Sequence, residues 1–304
     1  MDVVLDEATW RTREAAHHER VDAWITPHLD RAHRGEKHPV HDFLFTYYSH
    51  RPAQLRRWHP GVGVALVGDA PHRHWTDYRV GDAGAEVDLA RVLARRGDAI
   101  RYLTDLLRAT AERRPMFGCF GLHEWAMVYR AGEIRHESWP LRLSPDALAD
   151  VVETTPLRCT HYDAFRFFTP AAVPRNTLQL TRDAMPAHEQ GGCLHTNMDL
   201  YKIAYKLTPL IPSELVGDCF ELARDIRELD MRASPYDLAE LGYPPVPIEI
   251  DEGRQAYVCA QREFADRAAL LRAQLMDIGA RLGADRLRDA RSPVPGDAPW
   301  NSPI

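Results

Sequence analysis

The sequence has little of what marks several common classes of protein. Its five cysteines never form a Cys-x-x-Cys pair, which argues against a zinc ribbon or a disulfide framework and for reduced thiols in a cytoplasm. No apolar run approaches the roughly eighteen residues that cross a membrane, so no membrane partner is expected. The N-terminal stretch MDVVLDEATW lacks a basic region followed by an apolar core, so we expect no secretory signal and a cytoplasmic protein.

Several catalytic motifs are also missing. The chain has no Gly-x-Ser-x-Gly elbow, and no cysteine stands in a recognisable activating context, so nucleophilic catalysis finds little support in the sequence. A Gly-Lys-Ser/Thr phosphate loop is absent, which argues against a P-loop nucleotide-binding protein. There is no HExxH, no repeated Glu-x-x-His pair and no Cys/His knuckle. A metal or catalytic site must therefore be assembled from residues that are distant in sequence.

The charge balance is acidic. The chain has 38 Lys and Arg residues against 44 Asp and Glu residues, which gives a net charge of −6. This is not the electrostatic footprint of a strong nucleic-acid binder, although basic residues cluster locally, for example at Arg56 and Arg57. The fifteen histidines are more unusual, and many of them lie in the first quarter of the chain.

Hydrophobic periodicity predicts a mainly α fold with minor β structure. Apolar residues recur at helical spacing over 8–29, 86–113 and 257–282, and the last of these helices is expected to close a helical core. Ser-Pro pairs at Ser144 and Ser234 indicate two further helix starts. No internal repeat or long Gly/Ser linker divides the chain. We therefore predict one globular domain, residues 1–288, followed by a Pro-rich arm, residues 289–304.

Shorter elements are predicted from breakers and alternation. Pro27 is expected to end or kink the first helix, and Pro52 is expected to stop a second helix built on residues 43–48. Residues 62–67 and 75–80 are apolar or aromatic runs separated by a Gly-Asp-Ala-Pro turn. We expect these two runs to pair as a small β-hairpin.

The segment GGCLHTNMDLYKIAYKL, residues 191–207, has two interpretations. In the first, Thr196 and Asp199 form a capping box that satisfies free amides at a helix start. In the second, the helix start binds a ligand through its unpaired amides and dipole, and the Gly191–Gly192 pair lets the backbone approach closely. The residues that would then edge one pocket are His195, Asn197, Asp199 and Lys202.

Three separate segments combine a histidine with a carboxylate and an aromatic residue. The histidines are His123, His161 and His195, and they come with Glu124 beside Trp125, Asp163 beside Tyr162, and Asp199. We expect the segment LRCTHYDAFRFF, residues 157–168, to be extended, which would point His161 and Asp163 to the same side. We also expect the three histidines to line one cavity, where they would bind divalent Fe, Mn or Zn. The competing interpretation is that each histidine is hydrogen-bonded within the core.

A short motif bears on DNA binding. HPGVG at residues 59–63 resembles the turn of a helix-hairpin-helix, whose backbone amides bind a DNA phosphate. In base-excision enzymes of that superfamily a catalytic Asp follows the turn, and Asp77 and Asp82 are the candidates by position. The sequence after the turn, VALVGDAPHRH, departs from the motif because Gly68 and Pro71 interrupt the second helix.

Four longer segments resemble a known family. They are HPVHDFLFTYYSHRPAQLRRWHPGVG, GLHEWAMVYR, LHTNMDLYKIAYKL and RELDMRASPYDL, and they are similar to actinobacterial proteins of about this length that are commonly labelled 3-methyladenine DNA glycosylase. The resemblance covers about residues 8–285. It implies a DNA-repair hydrolase that excises alkylated purine bases, has DNA as its partner and needs no cofactor.

Such a glycosylase stacks an extruded base on aromatic rings and stabilises the sugar cation with a carboxylate. The candidate carboxylates are Asp199, Asp163 and Glu124. The candidates for contacts to the base and to phosphate are Trp58, Trp125, Tyr162, Asn197, Lys202, Arg56 and Arg57, with Tyr47 and Tyr48 as further stacking faces. The alternative hypothesis is a metal-dependent enzyme that acts on a small molecule through His123, His161 and His195.

Overall fold

The computed structural model describes residues 3–132 and 139–282. Within these ranges the fold is mainly α with a small β-sheet, as the periodicity predicted. The predicted Pro-rich arm at 289–304 and the end of the predicted domain lie outside the described residues. None of the helices in the described ranges combines the length and the apolar content that crossing a membrane requires.

The helices and strands follow one another in a simple order. Three short 3₁₀ turns, at Pro71–His74, Val173–Arg175 and Ala239–Leu241, lie between them. The elements are β1 (Val3–Leu5), α1 (Glu7–His33), α2 (Phe43–Tyr47), α3 (Pro52–Arg56), β2 (Val64–Leu66), β3 (Tyr78–Gly81), β4 (Gly84–Val87), α4 (Leu89–Glu112), α5 (Leu122–Ala126), α6 (Pro145–Thr154), α7 (Tyr162–Phe165), α8 (Met185–His188), α9 (Leu194–Leu207), α10 (Ser213–Arg232) and α11 (Asp251–Arg281).

The predicted long C-terminal helix is confirmed as α11. It packs against α4, α9 and α10, and its inward stripe includes Tyr257, Ala268 and Leu275, which have no exposed surface. Burying one Leu side chain contributes about 1.5–3 kcal/mol, so a stripe of this length holds the helix firmly in place. Because α9 and α10 also pack against each other, the three helices fix one another's positions.

The sheet differs from the predicted hairpin. Its strand order is β1-β2-β4-β3, with β1 and β2 parallel and the other pairs antiparallel. The predicted pairing of 62–67 with 75–80 is wrong, because the chain reverses between Gly81 and Gly84 and joins β3 to β4. At Gly84 φ is +135°, and a Cβ atom there would lie 2.1 Å from the Leu66 carbonyl oxygen. Only glycine fits at this close approach of two strands.

Two prolines have roles that differ from the predicted ones. Pro27 lies inside α1, which continues beyond it, so the predicted helix end at this residue is wrong. Pro52 begins α3, and α2 has already ended at Tyr47. The first helical position suits proline because its missing N–H would have no partner there and its fixed φ matches the helix.

The segment 157–168 is not extended throughout, because α7 forms directly after His161. The prediction is wrong because of a contact with a side chain that is distant in sequence. Asn176 Oδ1 accepts a hydrogen bond from the Cys159 amide at 2.8 Å, and Asn176 Nδ2 donates to the Cys159 carbonyl at 3.0 Å. Because the Asn176 side chain satisfies both backbone groups of Cys159, Cys159 needs no hydrogen-bond partner from a neighbouring strand.

The two Ser-Pro signals have different outcomes. The helix start at Ser144 is confirmed, since its side chain accepts a hydrogen bond from the Ala147 amide at the start of α6. The helix start predicted at Ser234 is wrong. Its hydroxyl donates to the Met231 carbonyl at 2.6 Å and thereby satisfies the end of α10, and a short 3₁₀ turn follows instead of an α-helix.

Candidate active site

The three predicted histidines come together in the structure. His123 lies on α5, His161 immediately precedes α7, and His195 lies in the first turn of α9. The ring centroids of His123 and His195 are 4.3 Å apart, and those of His161 and His195 are 5.5 Å apart. Elements that are far apart in sequence therefore bring these side chains close together, although only His123 and His195 line one pocket and His161 does not.

His123 belongs to a buried chain of charged groups. Its Nε2 atom lies 2.7 Å from Asp230 Oδ1, and Asp230 Oδ2 accepts a hydrogen bond from Arg227 Nη1 at 3.0 Å. The same Arg227 nitrogen donates to Glu124 Oε1 at 3.0 Å. All four side chains are buried. Glu124, a predicted catalytic carboxylate, is thus the counter-ion of Arg227, and each buried charge faces an opposite one, as burial demands.

Cys119 and His123 line the same pocket, and the His123 ring acts on the thiol. Burial by itself would raise the pKa of this thiol, but the hydrogen bond and charge of His123 lower it below its ordinary value. Burial would likewise lower the pKa of His123, but the charge of Asp230 raises it to about 10. We call Cys119, His123 and Asp230 the thiol centre.

The backbone beside Cys119 is bent in an unusual way. Phe120 has φ of +48° and Gly121 has φ of +73°, so two consecutive residues lie in the left-handed region. A non-glycine residue in this region is strained, and such strain is concentrated at functional sites. Gln261 Nε2 lies 3.8 Å from the Cys119 sulfur and donates to it.

His161 is the centre of a second buried group. Its Nδ1 atom lies 2.8 Å from Glu189 Oε1, and Glu189 in turn accepts a hydrogen bond from the Thr196 hydroxyl. His161 Nε2 lies 3.8 Å from Asp199 Oδ2. Although burial opposes it, the charge of Glu189 raises the pKa of His161. Glu189 was not a sequence candidate, because nothing in its local segment indicates a role.

Lys202 lies between two of the predicted carboxylates. Its Nζ atom donates to Asp199 and, at 3.0 Å, to Asp163 Oδ2. Tyr48 donates to the other Asp199 oxygen at 3.0 Å. Burial alone would lower the pKa of Lys202, but Asp199 and Asp163 raise it, so the ammonium stays charged and neutralises them. We call His161, Asp163, Asp199 and Lys202 the lysine cluster.

The capping-box interpretation of Thr196 and Asp199 is wrong. α9 begins earlier, at Leu194, and Cys193 is its N-cap, so both residues lie inside the helix. His195 and Asp199 are four residues apart and share one face of α9. That face contacts the thiol centre through His195, whose Nε2 lies 3.9 Å from Asp230 Oδ2, and the lysine cluster through Asp199.

Two other features of this segment hold the backbone together. Asn197 has no exposed surface, and its side chain donates to the Gly191 carbonyl at 2.9 Å and accepts from Arg272 at 2.6 Å. A Cβ atom at Gly192 would lie 2.4 Å from the Met116 carbonyl oxygen. The close approach that requires glycine is therefore made to the chain itself, and these partners leave Asn197 no group for a substrate.

A pocket of about 160 Å³ opens onto the thiol centre. Three of the five cysteines line it, although they are scattered in the sequence. The sequence analysis did not predict that these cysteines line one pocket. The signal available for Cys119 was its spacing of four residues from His123. The lining residues are Met116, Phe117, Gly118, Cys119, His123, Arg158, Cys159, Thr160, Gln190, Cys193 and His195.

The aromatic residues predicted to stack a base lie elsewhere or are covered. Trp58 and Trp125 have no exposed surface. Trp58 Nε1 donates to Glu214 at 3.1 Å, and Trp125 Nε1 donates to the Ala233 carbonyl at 2.9 Å. Tyr162 is partly buried against the core. The two indoles therefore present no ring face to a base.

The HPGVG turn makes internal contacts. The His59 amide donates to the Ser213 hydroxyl at 2.8 Å, and the Val62 amide donates to the Leu210 carbonyl at 3.0 Å. The residues after the turn form β2 instead of the second helix of a helix-hairpin-helix. The predicted phosphate contacts nearby are also engaged. Arg56 pairs with Asp22 at 2.7 Å, and the Arg57 guanidinium lies 5.0 Å from the centre of the Trp75 ring. Of the Asp candidates that follow the turn, Asp77 pairs with Arg95 at 2.6 Å.

Among the residues that the structure describes, two groups of side chains have a geometry that could hold a metal ion. In each group, one donor atom per residue lies within 4.8 Å of the others. The first group is His123, His195 and Asp230, and the second is His161, Asp163 and Asp199. In the second group the Lys202 ammonium already occupies the place of a cation between the carboxylates. The first group therefore fits a divalent ion better.

No protein-family model, curated protein or solved structure matches this chain. Its function must therefore be inferred from its own residues.

Proposed function

We propose that the protein is an enzyme that acts on a small molecule through a covalent bond to Cys119. The observation that carries this proposal is the contact of one imidazole, His123, with both the Cys119 thiol and Asp230, at the wall of the pocket. A nucleophile, a base and a carboxylate that orients the base are the parts from which covalent catalysis is built, and they are recognised by geometry rather than by chain order.

With a substrate that offers an acyl carbon, the reaction forms a thioester and then hydrolyses it. Cys119 begins as a thiolate beside the His123 imidazolium, which Asp230 stabilises, and the sulfur attacks this carbon. The bond to the leaving group then breaks, the leaving group takes the proton from His123, and a thioester remains. Water attacks the thioester while the now neutral His123 accepts its proton, which releases the acid and restores the thiolate and the imidazolium.

The pocket limits the substrate to a small molecule. Its volume of about 160 Å³ lies below the roughly 300 Å³ at which pockets for drug-sized ligands begin. Gln261 donates to the sulfur from a fixed position. A preorganised donor of this kind stabilises the thiolate before it attacks.

The test is the rate at which each cysteine reacts with iodoacetamide, followed by peptide mass spectrometry. The chain supplies its own reference, because Cys259 is exposed on α11 whereas Cys119 is partly buried. We expect Cys119 to react faster than Cys259 despite its lower exposure, because reaction requires the thiolate that His123 stabilises. Equal or slower reaction of Cys119 would overturn the proposal.

A metal-dependent enzyme is the second candidate. It is favoured by one specific observation, the approach of His123, His195 and Asp230 within 4.8 Å, and two histidines with one carboxylate suit Fe, Mn or Zn. The ion would take the His123 nitrogen that now contacts Asp230. Elemental analysis of the purified protein separates the two candidate functions. One equivalent of metal in the wild-type protein that is lost in His195→Ala would favour the metal-dependent enzyme.

DNA glycosylase activity stays a prediction that rests on the sequence resemblance. None of the described contacts favours it, since Trp58, Trp125 and the HPGVG amides are engaged within the fold. Release of alkylated purines from duplex DNA by the purified protein is the direct measurement. Salt-dependent binding of DNA would accompany such an activity, because phosphate contacts release counterions.

A further inference from the structure

The charge of the pocket bears on the kind of molecule it accepts. Among the described residues that line it, none is Asp or Glu, while Arg158, His123 and His195 contribute nitrogen donors. Thr160 and Gln190 add a hydroxyl and an amide. The carboxylates of the thiol centre and the lysine cluster lie behind this wall and are paired with His123, Arg227 and Lys202. The surface that a substrate meets is therefore mainly apolar, and its charged groups are cationic.

Arg158 differs from the other arginines near the site. Arg227, Arg113 and Arg272 each donate to a carboxylate, a backbone carbonyl or a side-chain amide. Within residues 3–132 and 139–282, Arg158 has neither a hydrogen-bond nor an ion-pair partner, and it is exposed at the pocket rim. A guanidinium has five donors in a planar fork that matches a carboxylate or a phosphate, so this group is free to bind one.

The backbone holds Arg158 in this position. Its neighbours Leu157 and Cys159 are both buried, and Asn176 is hydrogen-bonded to the Cys159 backbone on both sides. The Leu157 carbonyl accepts from the Thr177 amide at 3.0 Å. With the residues on either side fixed inward, the Arg158 side chain must project outward. It passes Gly118, the residue before the nucleophile, where an added Cβ would lie 3.6 Å from Arg158 Nη1.

We infer that the substrate is a small anion, and that Arg158 binds its carboxylate or phosphate group while the carbon to be attacked lies against Cys119. The inference rests on the proposed function, because it assigns the substrate class of that same pocket. Arg158 is a binding residue in this arrangement. A charge-assisted pair of this kind contributes enough to change a rate or an affinity about tenfold.

The test compares two alkylating reagents of nearly equal size, the anion iodoacetate and the neutral iodoacetamide, at Cys119. We expect the ratio of the two rates to fall about tenfold in Arg158→Gln, and to recover in part in Arg158→Lys, which keeps the charge. Arg91→Gln is the matched control, because this substitution removes the same charge. Arg91 is exposed on α4 and is not part of the pocket. An unchanged ratio in Arg158→Gln would overturn the inference.

A second measurement does not depend on the thiol. Malonate, a small dianion, should raise the melting temperature of the wild-type protein and of Cys119→Ala, but not that of Arg158→Gln, because a ligand that binds only the folded state stabilises it. If Cys119 proves unreactive while malonate still stabilises through Arg158, the proposed function fails and the anion site stands. If Cys119 is reactive but malonate has no effect on any of the variants, the anion site fails alone.

Discussion

The molecule contains two groups of buried histidines that differ in their partners. In the N-terminal part, histidine nitrogens contact carbonyl or phenol oxygens, at 3.0 Å from His72 to Trp58 and at 2.9 Å from His59 to Tyr78. At the site, His123 and His161 contact the carboxylates of Asp230 and Glu189 instead. All of these histidines are similarly buried, so burial does not separate the two groups.

The partner decides the charge. Burial lowers the pKa of His59 to about 3 and that of His72 to about 4, so both are neutral and serve the fold. At the site, carboxylates overcome the same burial and raise the pKa values of His123 and His161. A count of histidines in the sequence favours the N-terminal region, since ten of the fifteen lie in the first quarter of the chain. A histidine with chemistry to perform is better recognised by a buried carboxylate beside it than by its burial.

The largest effect is expected from removing the carboxylate of the thiol centre. Asp230→Ala leaves the buried charge of His123 without its counter-ion and leaves Arg227 with Glu124 alone, so the free energy of unfolding should fall by about 3–5 kcal/mol. Glu221→Ala on the same helix breaks an exposed pair with Arg20 and should cost less than about 1 kcal/mol. Denaturant unfolding measures both. Equal losses in the free energy of unfolding of the two variants would mean that the buried Asp230 pair stabilises the fold no more than an exposed pair does.

The next largest effect concerns the two kinds of histidine directly. His123→Gln should slow the alkylation of Cys119 about a hundredfold, since it removes the imidazolium that lowers the pKa of the thiol and stabilises its thiolate. His50→Gln is the matched control, because His50 is equally buried but contacts the Tyr201 hydroxyl. Circular dichroism establishes that both variants fold. Comparable rates in the two variants would mean that His123 has no special role.

Acid should weaken the N-terminal region first. His59 and His72 have pKa values below the value of about 6.5 in an unfolded chain, so the unfolded state binds more protons as the pH falls. Stability should therefore decrease between pH 6.5 and pH 4, by about 2–3 kcal/mol for each of the two. His123, with a raised pKa, contributes no such loss in this range.

Melting temperatures at pH 7 and pH 5 measure the effect. His72→Gln should reduce the difference and exposed His33→Gln should not; a difference unchanged by His72→Gln would contradict the assignment.

The smallest effect is expected from a chelator. If the thiol centre acts without a metal, dialysis against EDTA should leave the iodoacetamide rate at Cys119 within about twofold, because the charges around His123 are already balanced by residues of the chain. A large change that added zinc, iron or manganese reverses would favour the metal-dependent candidate. Elemental analysis before and after dialysis accompanies the rate measurement.

Local patterns explain which parts of the fold could be predicted. The stripe of α11 and the cap at Ser144 depend on residues within a few positions of each other, and both were predicted correctly. The α7 segment was mispredicted because the deciding contact is not local, since Asn176 replaces a strand partner for Cys159. Ser234 was mispredicted although its contact is local, because its hydroxyl donates backwards to the Met231 carbonyl of α10 and does not accept from a following amide.

The same reasoning applies to the site. The three histidine segments were identified because each carries its own carboxylate and aromatic residue. The actual partners were missed, because Asp230 is 107 residues from His123 and Glu189 is 28 residues from His161. Such pairs depend on how helices pack, which no local spacing shows. Cys119 was missed for the same reason, since its environment exists only after α5, α10 and α11 have met.

The contact of Gln261 with the Cys119 sulfur has a consequence for the order in which the protein is made. Gln261 lies on α11, and its Nε2 atom also donates to the Gly192 carbonyl at 2.6 Å. Synthesis proceeds from the N-terminus, so residues 119–230 leave the ribosome before this helix exists. The thiol therefore gains its last donor, and the loop before α9 its anchor, only when α11 docks. A chain interrupted during synthesis carries the nucleophile without the surroundings that make it reactive.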